Sequence, residues 1–239
     1  MVRPLFSIVI PAFNEENYLP KCLDAIDRAT ALLGEPVELI LANNMSTDRT
    51  AEIARDRGAR IVDVEPKCLS MIRNGGAEVA TGKYLAFIDA DSVMSDNMLV
   101  EIKRAMDSGR YVGGGVANIR ADRHSIGMLC SGIAFLPVML WWGVSAVMFY
   151  TTLEAFRAVG GFDESLYAAE DLDFGRRLKR YGHADGLRYK NLWKGRVTTS
   201  ARKLDEFGDW FVVLHPIKVM KILRNDRDIA HEFWYRDRR

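Results

Sequence analysis

Apolar and polar positions along the first hundred residues fall into blocks whose period changes, and each change marks an element. Residues 5–12 form an apolar run too short for a helix, which predicts a buried strand closed by Pro11. Leu19, Cys22, Leu23, Ile26 and Leu33 then recur at helical spacing, with Asn14 as the predicted cap and Gly34 as the stop. Residues 37–42 predict a second strand, and Thr47 or Asp48 opens a short helix that runs to Arg57 before Gly58. Residues 61–64 predict a third strand and residues 70–80 a third helix, closed by Gly82. Tyr84, Leu85, Ala86, Phe87 and Ile88 are apolar without a break, as in a strand buried on both faces. Strands and helices alternating over short connections predict an α/β fold: a Rossmann-like, mostly parallel central sheet with flanking helices.

Beyond this point the pattern is less regular. Residues 95–106 predict a helix, 111–119 a glycine-interrupted strand, and 152–159 a short helix ended by Gly160 and Gly161. A further helix opens at Glu170-Asp171 and runs to Tyr181, with Gly182 as its predicted stop. Residues 126–153 carry no charge, long enough to suggest a membrane span. Pro137 and Gly143 interrupt that stretch, and residues 144–150 are β-branched and aromatic, which predicts a helix followed by a buried strand. Residues 216–239 alternate apolar and basic positions, the pattern of an amphipathic basic helix suited to packing or to an anionic membrane surface.

Composition narrows the class. With 239 residues, 49% of them hydrophobic, and a net charge of +1, the chain has enough material for a single domain with a full core. It has neither a basic stripe interleaved with aromatics nor zinc-spaced Cys/His pairs, so no nucleic-acid partner is expected. Three scattered cysteines, Cys22, Cys68 and Cys130, point to a reducing compartment, hence a cytoplasmic location, with peripheral contact at the inner membrane face left open. Residues 1–13 read as a first strand rather than a signal peptide.

The candidate chemistry gathers at strand ends. Asp89 and Asp91 leave the fourth strand one residue apart, at the carboxyl edge where open parallel sheets bind ligands. Two anions that close repel, and a hard divalent cation relieves the repulsion. The same residues also fit a plain helix cap, or a phosphatase in which the first Asp is the nucleophile and the second the acid. Glu170-Asp171 is a second acid pair, for which the helix dipole alone is the simplest account. No glycine-rich dinucleotide fingerprint and no P-loop follows the first strand, so a nucleotide here would rest on side chains and strand-end backbone.

The stretches IPAFNEE, NNMSTDRT, RNGGAEVATGKYLAFIDADS, GGFDE and AEDLDFGRRL, in this order and spacing, resemble the family 2 glycosyltransferases across residues 7–180, about three quarters of the chain. That resemblance sets the phosphatase aside, because three strands precede the Asp-x-Asp. It implies a GT-A fold and inverting, metal-assisted transfer from a nucleoside-diphosphate sugar, UDP-sugar favoured, to a glycan or lipid-linked acceptor. By match to the motifs, Pro11, Ala12, Phe13 and Glu15 would line base and ribose, and Asn43, where the family usually has Asp, would hydrogen-bond the base. Arg73 would approach the diphosphate, Asp89, Ala90 and Asp91 would hold ribose and a manganese or magnesium ion, and Asp171 would be the base with Glu170 beside it. Many members place a metal-ligating His downstream, where this chain has Thr198, Thr199 and Ser200, leaving phosphate oxygens and water to complete the metal. Residues 198–208 resemble a mobile lid in which Arg202 and Lys203 meet the diphosphate, and Trp141 and Trp142 are candidates for the acceptor side. The expected division is a nucleotide-sugar half over 1–94, an acceptor half over 95–200, and a lid with a basic tail over 201–239. A binding protein of the same fold without turnover is the competing reading.

Overall fold

A computed structural model describes residues 3–142, 147–223 and 225; of residues 135–142, 203, 204 and 223 the backbone alone is described. The buried first strand, β1 (Phe6–Ala12), is followed by helix α1 (Leu19–Leu33), β2 (Val37–Asn43), α2 (Thr50–Asp56), β3 (Arg60–Asp63), α3 (Leu69–Glu78) and β4 (Tyr84–Ile88). β1 pairs in parallel with β2 and β4, and β2 with β3, so the four strands form the predicted parallel half. Side chains alternate strictly across β4. Tyr84, Ala86 and Ile88 enter the core beneath α1, whereas Leu85 and Phe87 enter the core on the α3 face. Burial on both faces explains why β4 is apolar without interruption.

The second half turns the sheet around. A three-residue strand β5 (Ser92–Met94) comes directly after the Asp-x-Asp, ahead of α4 (Met98–Asp107) and β6 (Tyr111–Ala121). Residues 92–94 were not expected as a strand, and the helix predicted from Ser95 starts at Met98. The reason is tertiary: β5 is held antiparallel by Thr199, Thr198 and Val197, partners more than a hundred residues away. The uncharged stretch divides as predicted into α5 (Ile126–Trp142) and β7 (Met148–Thr152), although Pro137 lies inside the helix rather than ending it. α6 (Leu153–Ala158) is capped by Thr152 Oγ1, which accepts from the Ala155 amide at 3.0 Å. α7 (Glu170–Ala184) and β8 (Arg188–Thr199) lead to three short helices, α8 (Arg202–Phe207), α9 (Phe211–Leu214) and α10 (Pro216–Leu223).

The eight strands among the described residues lie in one sheet in the order β3-β2-β1-β4-β7-β6-β8-β5. β7 runs antiparallel to β4 and β6, and β6 and β8 pair in parallel. The glycines of β6 serve this pairing, since a Cβ at Gly114 would stand 1.8 Å from the Lys190 carbonyl oxygen. Gly182 does not stop α7 as predicted. It lies in the last turns of the helix, where a Cβ would press on Val112, and the left-handed turn comes later at Gly186. On the α3 and α7 face, Phe87, Phe149, Phe156, Phe162 and Phe174 form one aromatic cluster, with Phe162 and Phe174 rings 4.5 Å apart.

Candidate active site

The carboxyl ends of β1, β2 and β4 meet in a loop system stitched by side chains. Asn14 is not a helix cap. It has a left-handed backbone, and its Oδ1 accepts from the Thr47 amide at 2.8 Å while its own amide donates to Ser46 Oγ at 3.1 Å. Asp48 makes the turn into α2, accepting from the Thr50 amide at 2.9 Å and from the Glu16 amide at 3.1 Å. The loops after β1 and β2 are therefore one structure. Pro11 and Ala12 are buried in β1, and Phe13 is exposed with Lys67 5.4 Å from its ring centroid. Asn43 accepts from the Ser46 amide at 3.2 Å and donates to Asp63 Oδ1 at 2.7 Å, which brings a strand-end carboxylate beside it that sequence reading passed over.

At the end of β4 the two aspartates have different partners. Arg73 on α3 is buried, and its guanidinium donates to Asp89 Oδ1 at 3.0 Å and to Glu170 Oε1 at 2.9 Å. The predicted acid pairs are thus joined by one cation, which also lies over the Phe162 ring at 5.2 Å. Asp91 lies 3.0 Å from Arg202 at the start of α8, and Arg202 also grips both carboxylate oxygens of Glu15 and covers the Tyr18 ring. Ala90, between the aspartates, is buried. The side chains of Trp141, Trp142 and Lys203, and the tail beyond residue 225, lie outside the described residues.

Electrostatics at this edge are dominated by negative charge. Burial, and then the neighbouring Asp89, push the Asp91 carboxyl up to about 6 against the opposing pull of Arg202. The buried Cys22 thiol, 3.7 Å from the Asp89 carbonyl oxygen, is pushed far above its usual range by burial and by Asp91, Asp89 and Glu15. Among the described residues no three His, Cys, Asp or Glu side chains assemble as a metal-binding group. Two hard carboxylates in a negative field nonetheless fit a divalent cation whose remaining ligands come from phosphate and water.

Asp171 sits at the start of α7, following Ala169, whose φ of 56° is left-handed and unusual for alanine. That strained step turns Glu170 inward to Arg73. Burial and the adjacent Glu170 push Asp171 up to about 7, with Arg73 opposing. Asn74 fixes the preceding loop by accepting from the Phe162 amide and donating to the Phe162 carbonyl, each at 2.9 Å.

The model of Glycosyl transferase family 2 matches residues 7–142, more than half of the chain. The chain belongs to this family. It is 32% identical over 129 residues to the uncharacterized glycosyltransferase EpsJ of Bacillus subtilis, a match covering 51% of this chain and 37% of EpsJ. Among solved structures it superposes on S. aureus TarS 1-349 in complex with UDP-GlcNAc with a TM-score of 0.62, at 17% identity, over 95% of this chain and 71% of that one. It also superposes on the mannosyltransferase PcManGT of Pyrobaculum calidifontis, in complex with GDP-Man and Mn2+, with a TM-score of 0.63, at 16% identity, over 98% of this chain and 70% of that one. These likenesses establish the GT-A fold. No helix among the described residues is long and apolar enough to cross a membrane.

Proposed function

We propose that the chain is an inverting glycosyltransferase that moves a sugar from a nucleoside-diphosphate sugar, a UDP-sugar first among them, to the hydroxyl of a glycan or lipid-linked acceptor. The observation that carries this is the Asp89–Arg73–Glu170 bridge, which ties the acid pair of the donor edge to the acid pair at the start of α7. Exposed Phe13 offers a face for the base, with Asn43 and Asp63 at its polar edge. Residues 1–94 would supply this donor half and residues 95–200 the acceptor half.

The proposed step is a single displacement. Asp171 takes the proton of the acceptor hydroxyl, the oxygen attacks the anomeric carbon, and the nucleoside diphosphate leaves with the bonding pair. A carboxyl raised to about 7 is a stronger base than an ordinary aspartate and is half ionised near neutrality. Arg202, free to exchange Glu15 and Asp91 for phosphate oxygens, would meet the charge that develops on the departing diphosphate. Manganese or magnesium, bound by Asp91 and Asp89, would supply Lewis-acid neutralisation of the same charge.

Replacing Asp91 tests the donor half. Asp91→Asn is expected to abolish the enhancement of UDP binding by manganese, because a neutral amide replaces an anionic ligand of a hard cation. Calorimetric titration of UDP with and without manganese checks it, and equal enhancement in variant and wild type would remove Asp91 from the metal site.

A further inference from the structure

Among the described residues, exposed large apolar side chains concentrate on α5, α9 and α10. Ile126, Leu129 and Ile133 on α5, with Leu214, Ile217 and Met220 on α9 and α10, are each between 45% and 74% exposed. Other exposed large apolar side chains, such as Leu32, Met45 and Trp193, lie on α1, after β2 and on β8. The α5 residues recur at helical spacing and share one face.

This surface is built rather than frayed. The inner side of α5 approaches the turn before α9 closely, with Ser131 Oγ donating to the Asp209 carbonyl at 2.7 Å and Gly127 leaving no room for a Cβ beside Trp210. Arg123 clamps the same turn through both oxygens of Asp209, at 2.6 and 3.1 Å, and also holds Asp205. The inner sides of α9 and α10 pack Phe211, Val219 and Ile222 against Tyr167 and Ala168. Asn225 Oδ1 accepts from the Tyr167 amide at 2.7 Å, so the outer face is fixed to the loop that leads into Glu170 and Asp171.

Charge selects the occupant. Residues 210–223 carry Lys218 and Lys221 and no carboxylate, and both lysines are exposed next to Ile217 and Met220 on α10. A second copy of the chain would gain apolar contact here but would bring its own lysines against these. A bilayer with anionic headgroups satisfies both features, since apolar side chains enter the acyl boundary while lysines meet phosphate. We propose that the α5–α9–α10 face docks the protein on an anionic membrane surface. Docking would bring a lipid-linked acceptor of the proposed transfer to the α7 start, whereas vesicle binding itself does not depend on that transfer.

Flotation of the full chain with phosphatidylserine-containing vesicles tests the proposal. Wild type is expected to float with them, and Lys218→Gln/Lys221→Gln to partition about 25-fold less, at about 5-fold per lysine. Leu129→Glu/Ile133→Glu and Ile217→Glu/Met220→Glu are expected to stay in the dense fractions while keeping the UDP and manganese titration of wild type, which shows that they are folded. Wild type remaining in the dense fractions, or either glutamate pair floating like wild type, would overturn the proposal. So would a concentration-dependent dimer without flotation that those pairs dissolve, because the face would then belong to a second copy.

Discussion

Asp171→Asn is expected to lose sugar transfer by at least about 100-fold, the usual cost of removing a general base, while binding UDP and manganese as wild type does. Asparagine keeps the shape of the side chain and removes its basicity. The carboxyl is raised to about 7 by burial and by Glu170, so the wild-type rate should fall about tenfold per pH unit below that value, as the base becomes protonated. Stopped assays of UDP release across pH check both statements. A fall in donor affinity equal to the fall in rate would make Asp171 a donor contact. Activity kept in Asp171→Asn but lost in Glu170→Gln would move the base one residue earlier.

Arg73→Met should produce the largest loss of stability of any single change at the site, about 3 kcal/mol. Its guanidinium is buried and serves two carboxylates, of which Glu170 has a 9% exposed side chain and Asp89 a 33% exposed one. Removing the cation strands Glu170 as a buried charge, a loss of about 3–5 kcal/mol for a fully buried pair, and the lower end applies because Asp89 is partly solvated. Urea unfolding with an unchanged slope measures it. A loss below about 1 kcal/mol would mean that the bridge is dispensable to the fold. Because Arg73 also spans the two acid pairs, transfer should fall in the fraction that remains folded.

How much of this was legible in the chain depends on the range of the interactions. β1 and β4 are short runs buried at every residue, and α7 begins at Glu170 as its acid pair suggests. Local pattern carries such elements. β5 has no local signal, because three residues form a strand only when β8 lies beside them. Asn14 has the composition of a helix cap, yet its side chain serves the loop after β2 instead. Asp89, Asp91, Glu170 and Asp171 stood out as carboxylates, but nothing local said that Arg73 would join the two pairs or that Arg202 would reach Glu15 from 187 residues away. Asp63 carries no local mark of a site, and its place beside Asn43 follows from the parallel register of β2 and β3.

An inverting displacement at an Asp171-based site is read most directly in the configuration of the first product. Proton NMR of the anomeric signal, followed from the start of turnover of an α-linked UDP-sugar with manganese present, separates the outcomes. Water serves as acceptor where no sugar acceptor is at hand. Inversion predicts that the β anomer appears first and equilibrates only later, with turnover at least about 100-fold slower in Asp171→Asn. Appearance of the α anomer first would contradict it.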